Sequence, residues 1–201
     1  STTINGGTLA LGASGSIDNT NGVSLASGGT LDLSAKSGYS VNNLTGSGTV
    51  IGSLTVSTEL AIGNSPGTTD FDSLTLAASS VYTYELTGGG TAADLGNVSG
   101  TLTIDAGASL DLVQLGTYTV GDKFTLFGYE TGDLTGTFSG LADGATFTDA
   151  GGDWQIDYFD TSAGLNGGIG SSFVTVIAIP EPSAALLGAL GLLALFRRRR
   201  S

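Results

Sequence analysis

The sequence predicts an all-β fold: stacked β-solenoid repeats, a β-rich C-terminal cap and then a short apolar α-helix. Three observations predict it: a recurring Gly-Thr-Leu motif, apolar residues that alternate with Thr, Ser or Asp, and frequent Gly and Asn pairs between these runs. Alternation with a period of two is typical of a half-buried strand. The Gly and Asn pairs supply the tight turns that such short strands need.

The Gly-Thr-Leu motif divides the first 115 residues into units. It begins at Gly7 and Gly29, returns as Gly-Thr-Val at Gly48, and recurs less regularly from Gly100 and Ala108. The first two spacings are 22 and 19 residues. Strands of three to five residues bury too little apolar surface singly, so they must stack on one another, and a period near 20 residues predicts a β-solenoid over residues 1–115. A β-sandwich uses the same alternation and stays open as the alternative.

Residues 116–179 differ in texture from these repeats. Longer alternating runs and most of the aromatic residues occur here, among them Trp154 and Tyr158. Larger side chains and longer strands predict a compact β-rich cap. We expect the cap to close one end of the stack, because an exposed end of a solenoid invites edge-to-edge association.

The last segment, 180–201, has the composition of a membrane-targeting tail. Pro180-Glu181-Pro182 ends the preceding strand, because proline has no N–H to donate to a sheet. A helix predicted over 184–196 is apolar on every side, which favours lipid over a protein surface. This apolar helix includes Ala184, Leu187, Leu190, Leu193 and Phe196. A run of four arginines completes the tail: Arg197, Arg198, Arg199 and Arg200.

The length of this helix leaves a buried core helix as the alternative. Thirteen residues rise about 20 Å, which is short of the roughly 30 Å of a hydrocarbon core. The four arginines cannot enter a protein core, however, and arginine side chains can extend along a short membrane segment to reach water. The four arginines are a predicted cytoplasmic charge anchor, which would keep this end inside the cell and the acidic body outside: Arg197, Arg198, Arg199 and Arg200.

Composition excludes several classes of function. The chain has no Cys and no His, so it has no Ser-His-Asp triad, no thiol nucleophile and no Cys/His zinc site. Seventeen of the eighteen acids precede Pro180, where Lys36 and Lys123 are the only bases. A body of that charge repels phosphate backbones, so nucleic acid is not an expected partner.

The order Pro180-Glu181-Pro182, apolar helix 184–196, Arg197–Arg200 resembles the PEP-CTERM sorting signal. The resemblance implies export, transient insertion in the inner membrane of a Gram-negative bacterium, and processing by an intramembrane exosortase. The segment Ile62–Thr68 is similar to the Gly-Asn-Ser-Pro-Gly-Thr segment of autotransporter-type passenger β-helices. The segment Gly151–Tyr158, with the residues that follow it, looks like the closing segment of PEP-CTERM proteins with such repeats.

Two carboxylates of the cap are candidate calcium ligands. Asp153 and Asp157 alternate with Trp154 and Tyr158, which gives one polar and one apolar face. An acidic strip can bind Ca²⁺ through its oxygens. The alternative, which we favour, is an edge strand that packs its aromatic residues inward and exposes its acids to solvent. No other cofactor is expected.

These observations predict an exported, non-catalytic structural protein of the cell surface or extracellular matrix, with extracellular polysaccharide as a partner. A glycan-binding adhesin module is the first alternative and would show exposed aromatics over successive repeats. A carbohydrate-active enzyme is the second, and it would need two carboxylates converging in one groove.

Overall fold

The computed structural model describes residues 1–18, 21–63, 66–87 and 92–181. These residues form fourteen strands and no helix, so the predicted all-β class is confirmed. The predicted helix 184–196 lies outside the described residues, and so do the four arginines, Arg197, Arg198, Arg199 and Arg200. The strands are β1 Thr2–Ile4, β2 Gly7–Ala10, β3 Val23–Asp32, β4 Tyr39–Ile62, β5 Thr68–Leu76, β6 Val81–Leu86, β7 Leu95–Val98, β8 Leu102–Ile104, β9 Ser109–Gln114, β10 Lys123–Tyr129, β11 Leu134–Gly136, β12 Thr146–Asp149, β13 Gly152–Asp160 and β14 Ser172–Ile179.

Strands β1 to β9 pair with one another in parallel, within a single open sheet. Gly7 is the register partner of Gly29, and Gly29 that of Gly48, so the 22- and 19-residue spacings of the sequence are the register of the sheet. The later copy at Gly100 belongs to a different column, since Leu102 pairs with Leu74 and with Leu134.

The alternation of the sequence places one row of side chains inside and one outside. Leu31, Val50, Phe71, Val98 and Tyr129 follow one another through the register, and each is buried. Their neighbours in the strands point outward. One outer row consists of threonines aligned across four strands, Thr55, Thr75, Thr103 and Thr135.

Glycine permits the long strand β4 to bend twice within the sheet. Its φ angles at Gly46 and Gly52 are +94° and +87°, and the strand register shifts at both places. A Cβ at Gly46 would overlap the Leu25 carbonyl oxygen of the neighbouring strand. The bend at Gly46 therefore needs both the left-handed backbone and the absence of a side chain.

The second part of the sheet is antiparallel and carries most of the large aromatic residues. Its strand order is β10-β14-β13-β12, and β7 joins it to the parallel part by pairing with β10. The hydroxyls of Tyr82 and Tyr84 in β6 donate to the carbonyls of Leu126 and Thr125 in β10. Strands on either side of residue 115 thus share one sheet and one core.

Replacing Gly46 by alanine should lower the free energy of unfolding by about 3 kcal/mol or more, because the side chain adds both backbone strain and overlap with Leu25. Gly12→Ala is the matched control, since it adds a methyl group with no atom within 4 Å and should change stability by no more than about 0.5 kcal/mol. Urea unfolding of both full-length variants measures the difference. Equal stabilities would contradict the proposed role of Gly46 at the bend.

Candidate functional site

A groove of about 250 Å³ lies on the outer face of the sheet, where the parallel and antiparallel parts meet. Its floor is formed by Thr49, Asp70 and Asn97, which are register partners in β4, β5 and β7. Because Val50, Phe71 and Val98 point into the core, the alternation turns the floor residues outward. Three consecutive strands thus contribute one polar residue each to the same surface.

One wall of the groove comes from residues 161–171, which connect β13 to β14 and are called the strap below. The strap lies against the outer face of β10, where a Cβ at Gly128 would overlap the Ile169 carbonyl oxygen. The N–H of Ile169 donates to Oδ1 of Asn97 at 3.0 Å, and the Ile169 side chain is 70% exposed. Glycine at position 128 therefore lets the strap approach closely enough to form the wall.

Asn166 fastens the strap to both parts of the sheet. Its Oδ1 accepts the N–H of Thr125 at 2.8 Å. Its Nδ2 donates to the carbonyls of Thr125 and Asp94 and to the hydroxyl of Tyr84, at 2.8, 3.0 and 3.2 Å. One side chain thus bonds to three strands or loops that are distant from it in sequence.

Three carboxylates surround the groove, those of Asp70, Asp72 and Glu130. Each accepts a hydrogen bond from a neutral donor: Asn97 Nδ2 at 2.9 Å for Asp70, Gly52 N at 2.8 Å for Asp72, and Ser171 Oγ at 2.8 Å for Glu130. Within the described parts of the chain the only ion pair is Lys123–Asp160. The groove is therefore an electronegative surface whose charge no lysine of the body neutralises.

The ion pair Lys123–Asp160 lies in the antiparallel part of the sheet, between β10 and β13. Lys123 Nζ donates to Asp160 Oδ2 and to Ser162 Oγ, both at 2.7 Å. Burial alone would raise the pKa of Asp160, but the hydrogen bonds from Lys123, Ser162 and Thr175 outweigh it and hold the pKa at about 2. The cluster joins β10, β14 and the start of the strap.

Asp94 is a fully buried carboxyl beside the groove-forming strands. Burial raises its pKa to about 7, against the opposing effect of the hydrogen bonds that it accepts from the N–H groups of Glu85 and Gly67, each at 3.0 Å. The charge of Glu85 also raises it. In turn Asp94 contributes to the raised pKa values of Tyr82 and Tyr84, for which burial is the larger cause.

The structure does not bring the two calcium candidates together. Asp153 and Asp157 are four residues apart on one face of the extended strand β13, about 13 Å by strand geometry. Asp153 accepts from Thr148 Oγ1 and Asp157 from the N–H of Phe159. Trp154 and Tyr158 are buried on the opposite face, as the favoured alternative predicted. Its prediction of an edge strand is wrong, because β12 and β14 pair with β13 on its two sides. No group of three or more acidic side chains in the described ranges is placed to hold a metal ion.

The residues of the predicted sorting tail are only partly described. β14 ends at Ile179, and Pro180 and Glu181 follow it on the surface. The remaining parts of the predicted signal lie outside the described residues: Pro182, the membrane helix with Ala184, Leu187, Leu190, Leu193 and Phe196, and the charge anchor Arg197, Arg198, Arg199 and Arg200. None of the residues that the structure does describe forms a helix of the length and apolarity that a membrane span requires.

Sequence reasoning missed Asn97, Asn166, Asp94 and Glu130. Each is a single polar residue whose partners come from other parts of the chain, and the Asn97-Val98-Ser99 triplet of the sequence does not predict the contacts that Asn97 makes. A weak signal existed for Asn97, which takes the outward position that threonine or aspartate holds in the preceding strands.

The stability of the folded protein should fall as the pH rises from about 4 to about 7. The pKa of Asp94 is raised from 3.8 to about 7 on folding, so the folded chain favours the protonated carboxyl, and the resulting stabilisation is lost as the pH rises through the folded value. The steepest slope expected from one group is about 1.4 kcal/mol per pH unit.

Urea unfolding of the full-length chain at several pH values in that window measures this dependence. Asp94→Asn is the control, because an amide of the same shape does not ionise. Its unfolding free energy should vary less with pH by the amount that Asp94 contributes. Parallel curves for the two proteins would show that Asp94 does not titrate in the window.

Asn166→Ala should lower the free energy of unfolding by roughly 2–3 kcal/mol, because it leaves the N–H of Thr125 without its acceptor and removes three donated bonds. Leu165→Ala, at a half-exposed neighbour on the strap, should cost well under about 1 kcal/mol. Amide hydrogen exchange at Thr125 should accelerate in the first variant alone. Unchanged exchange would contradict the fastening role.

Comparison with protein-family models, with curated proteins and with solved structures found no match. Function is therefore inferred below from the chain's own residue patterns and geometry.

Proposed function

We propose that this protein is an exported, non-catalytic structural protein of the cell surface or extracellular matrix. In this proposal the parallel part of the sheet is a β-solenoid, which serves as a spacer among extracellular polysaccharides. The C-terminal segment is a PEP-CTERM-like sorting signal. It holds the chain in the inner membrane until an exosortase processes it, after which the body lies on the outer surface or outside the cell.

The observation that carries the structural role is the register of the repeats. Gly7, Gly29 and Gly48 are successive partners in parallel strands, so each sequence unit is hydrogen-bonded to the next. An immunoglobulin-type sandwich is built from antiparallel strands, whereas every pair among β1 to β9 is parallel. Stacking of this kind lengthens a molecule along one axis, which suits a spacer.

The outer surface supports an extracellular setting. Aligned hydroxyl side chains such as those of Thr55, Thr75 and Thr103 form outward rows of groups that can donate to and accept from water or sugar hydroxyls. The described part of the chain has a strong excess of acids, and both of its lysines have local partners: Lys123 pairs with Asp160, while Lys36 lies over the ring of Tyr39. Net charge far from zero favours solubility outside the cell.

The sorting role rests on the order of residues in the tail. Pro180 and Glu181 follow directly on β14, so the body ends in an ordered strand immediately before the motif. The apolar stretch 184–196 and the four arginines then follow in the order that the sorting signal requires. Cleavage near Pro182 would release the body without removing any strand.

The test is the intact mass and membrane partition of the full-length protein in its native host. The double variant Pro180→Ala and Pro182→Ala keeps the apolar stretch and the arginines but breaks the motif. Leu115→Ala with Val120→Ala is the matched control, since both residues are exposed and lie outside the tail. The wild type and the control should have a mass that ends near Pro182 and should leave the membrane, while the motif variant should stay uncut and membrane-bound.

An uncut wild-type chain in the membrane fraction would contradict processing, and the protein would then be a simple C-terminally anchored surface protein. Equal cleavage of the motif variant would show that Pro180 and Pro182 are not the recognised residues.

A further inference from the structure

The chain contains three Asn-Gly pairs, Asn5-Gly6, Asn21-Gly22 and Asn166-Gly167. Such a pair can undergo a reaction in which the backbone nitrogen of the glycine attacks the side-chain amide carbon of the asparagine. Glycine favours this attack because it has no Cβ to hinder the nitrogen. The three pairs are alike in sequence, so their places in the fold decide which of them can react.

The fold protects Asn166-Gly167 on both residues. The Asn166 side chain accepts the N–H of Thr125 and donates three further hydrogen bonds. The N–H of Gly167, whose nitrogen would have to attack, donates to the carbonyl of Gly164 at 3.0 Å. Because the reaction would break these bonds, this pair should stay intact in the folded protein.

The pair Asn21-Gly22 is held through its backbone. The carbonyl of Asn21 accepts from Nδ2 of Asn43, and the carbonyl of Gly22 accepts from the N–H of Thr2, both at 2.9 Å. Gly22 also packs closely on the neighbouring strand, where a Cβ would lie 2.6 Å from the Asn43 carbonyl oxygen. The backbone cannot turn toward the Asn21 side chain without losing these contacts, so this pair should also be protected.

The remaining pair, Asn5-Gly6, lies between β1 and β2, and both of its residues are exposed. Among the residues that the structure describes, none forms a hydrogen bond with the Asn5 side chain or with the N–H of Gly6. Apart from the adjoining residues of the chain, no atom lies within 4 Å of the place that a Cβ would take at Gly6 or Gly7. This pair therefore has an unbonded nitrogen and the room to bring it against the side chain.

We propose that Asn5 is a site of spontaneous deamidation in the folded protein. The Gly6 nitrogen loses its proton and forms a bond to Cγ of Asn5, while the bond between Cγ and Nδ2 breaks and ammonia leaves. The product is a cyclic succinimide. Water then opens the ring: addition at Cγ gives aspartate, and addition at the backbone carbonyl carbon gives isoaspartate. Water is the only other reactant.

The modification changes the end of the sheet at which β1 and β2 pair with β3. Either product adds a negative charge. Isoaspartate also adds a methylene group to the backbone between the buried Ile4 and Gly7, which are fixed on β3 through Leu25 and Gly29. Because both neighbours are held, the longer backbone should weaken the pairing of β1, and amide hydrogen exchange in β1 should be faster in the isoaspartate form.

The experiment follows the full-length chain in mild detergent at mildly alkaline pH, by mass spectrometry of proteolytic peptides taken at successive times. Asn5 should convert to aspartate and isoaspartate, and faster as the pH rises because the attacking nitrogen must lose its proton. Asn21 and Asn166 should stay intact over the same period. In urea, where the fold is lost, all three should convert at similar rates.

Two outcomes of this comparison would overturn the proposal. One is conversion of Asn21 or Asn166 as fast as that of Asn5 in the folded chain. The other is an intact Asn5 in the folded chain over a period in which the unfolded chain converts.

A matched pair of variants tests the attacking atom. Gly6→Ala places a methyl group beside the Gly6 nitrogen, at a position with open surroundings and no positive φ, so the variant should fold normally. It should lose most of the conversion at Asn5. Gly12→Ala adds the same methyl group at another open position and should leave the rate at Asn5 unchanged. Equal rates in Gly6→Ala and the wild type would show that the Gly6 nitrogen does not attack, and the proposed reaction would be wrong.

Discussion

Parallel backbone pairing between successive repeats is the constraint on which the rest of the structure depends. Each strand of the repeats can satisfy its N–H and C=O groups only through the strands on either side of it. The repeats must therefore keep one register, and apolar residues must recur at the same positions. Gly46 and Gly136 show how tight this packing is, since a Cβ at either would overlap a carbonyl oxygen of the neighbouring strand, that of Leu25 or Ile104.

The antiparallel part forms one end of the sheet. Along the path through β7, parallel pairing ends at β10, whose other edge is taken by β14, and the sheet continues through β13 and β12. Aromatic side chains fill the interior there, with Trp154 packed against Tyr118 and Phe124. The tyrosines of β6 reach across with their hydroxyls, so the two parts are joined by hydrogen bonds as well as by apolar contacts.

Three polar residues with partners in several elements also lie at the junction of the two parts. Asp94, Asn97 and Asn166 lie where parallel strands, antiparallel strands and the strap meet, and each bonds to at least two of these elements. Buried polar groups need partners to be tolerated, which explains why the strap follows a defined path. The groove arises from the same cause, because the strap covers the outer face over β10 and leaves the floor over β7, β5 and β4 open.

The sequence pattern and the tertiary structure each determined different features of this protein. Alternation predicted which side of β13 is buried, so Trp154 is inside and Asp157 outside, and the spacing of Gly7 and Gly29 predicted their pairing, because identical short units stack best in register. The spacing could not assign the copy at Gly100, which stacks in a different column from the one its residues resemble. The groove was decided by tertiary structure, since Glu130 and Ile169 lie outside the repeats whose period relates the floor residues. The tail is the opposite case, since its proposed sorting role rests only on the order of its prolines, apolar residues and arginines. Sequence by itself thus determined the alternation of buried and exposed residues in the strands and the residue order from which sorting is proposed, because both are local. The groove needed the tertiary structure, because only folding brings its walls and floor together.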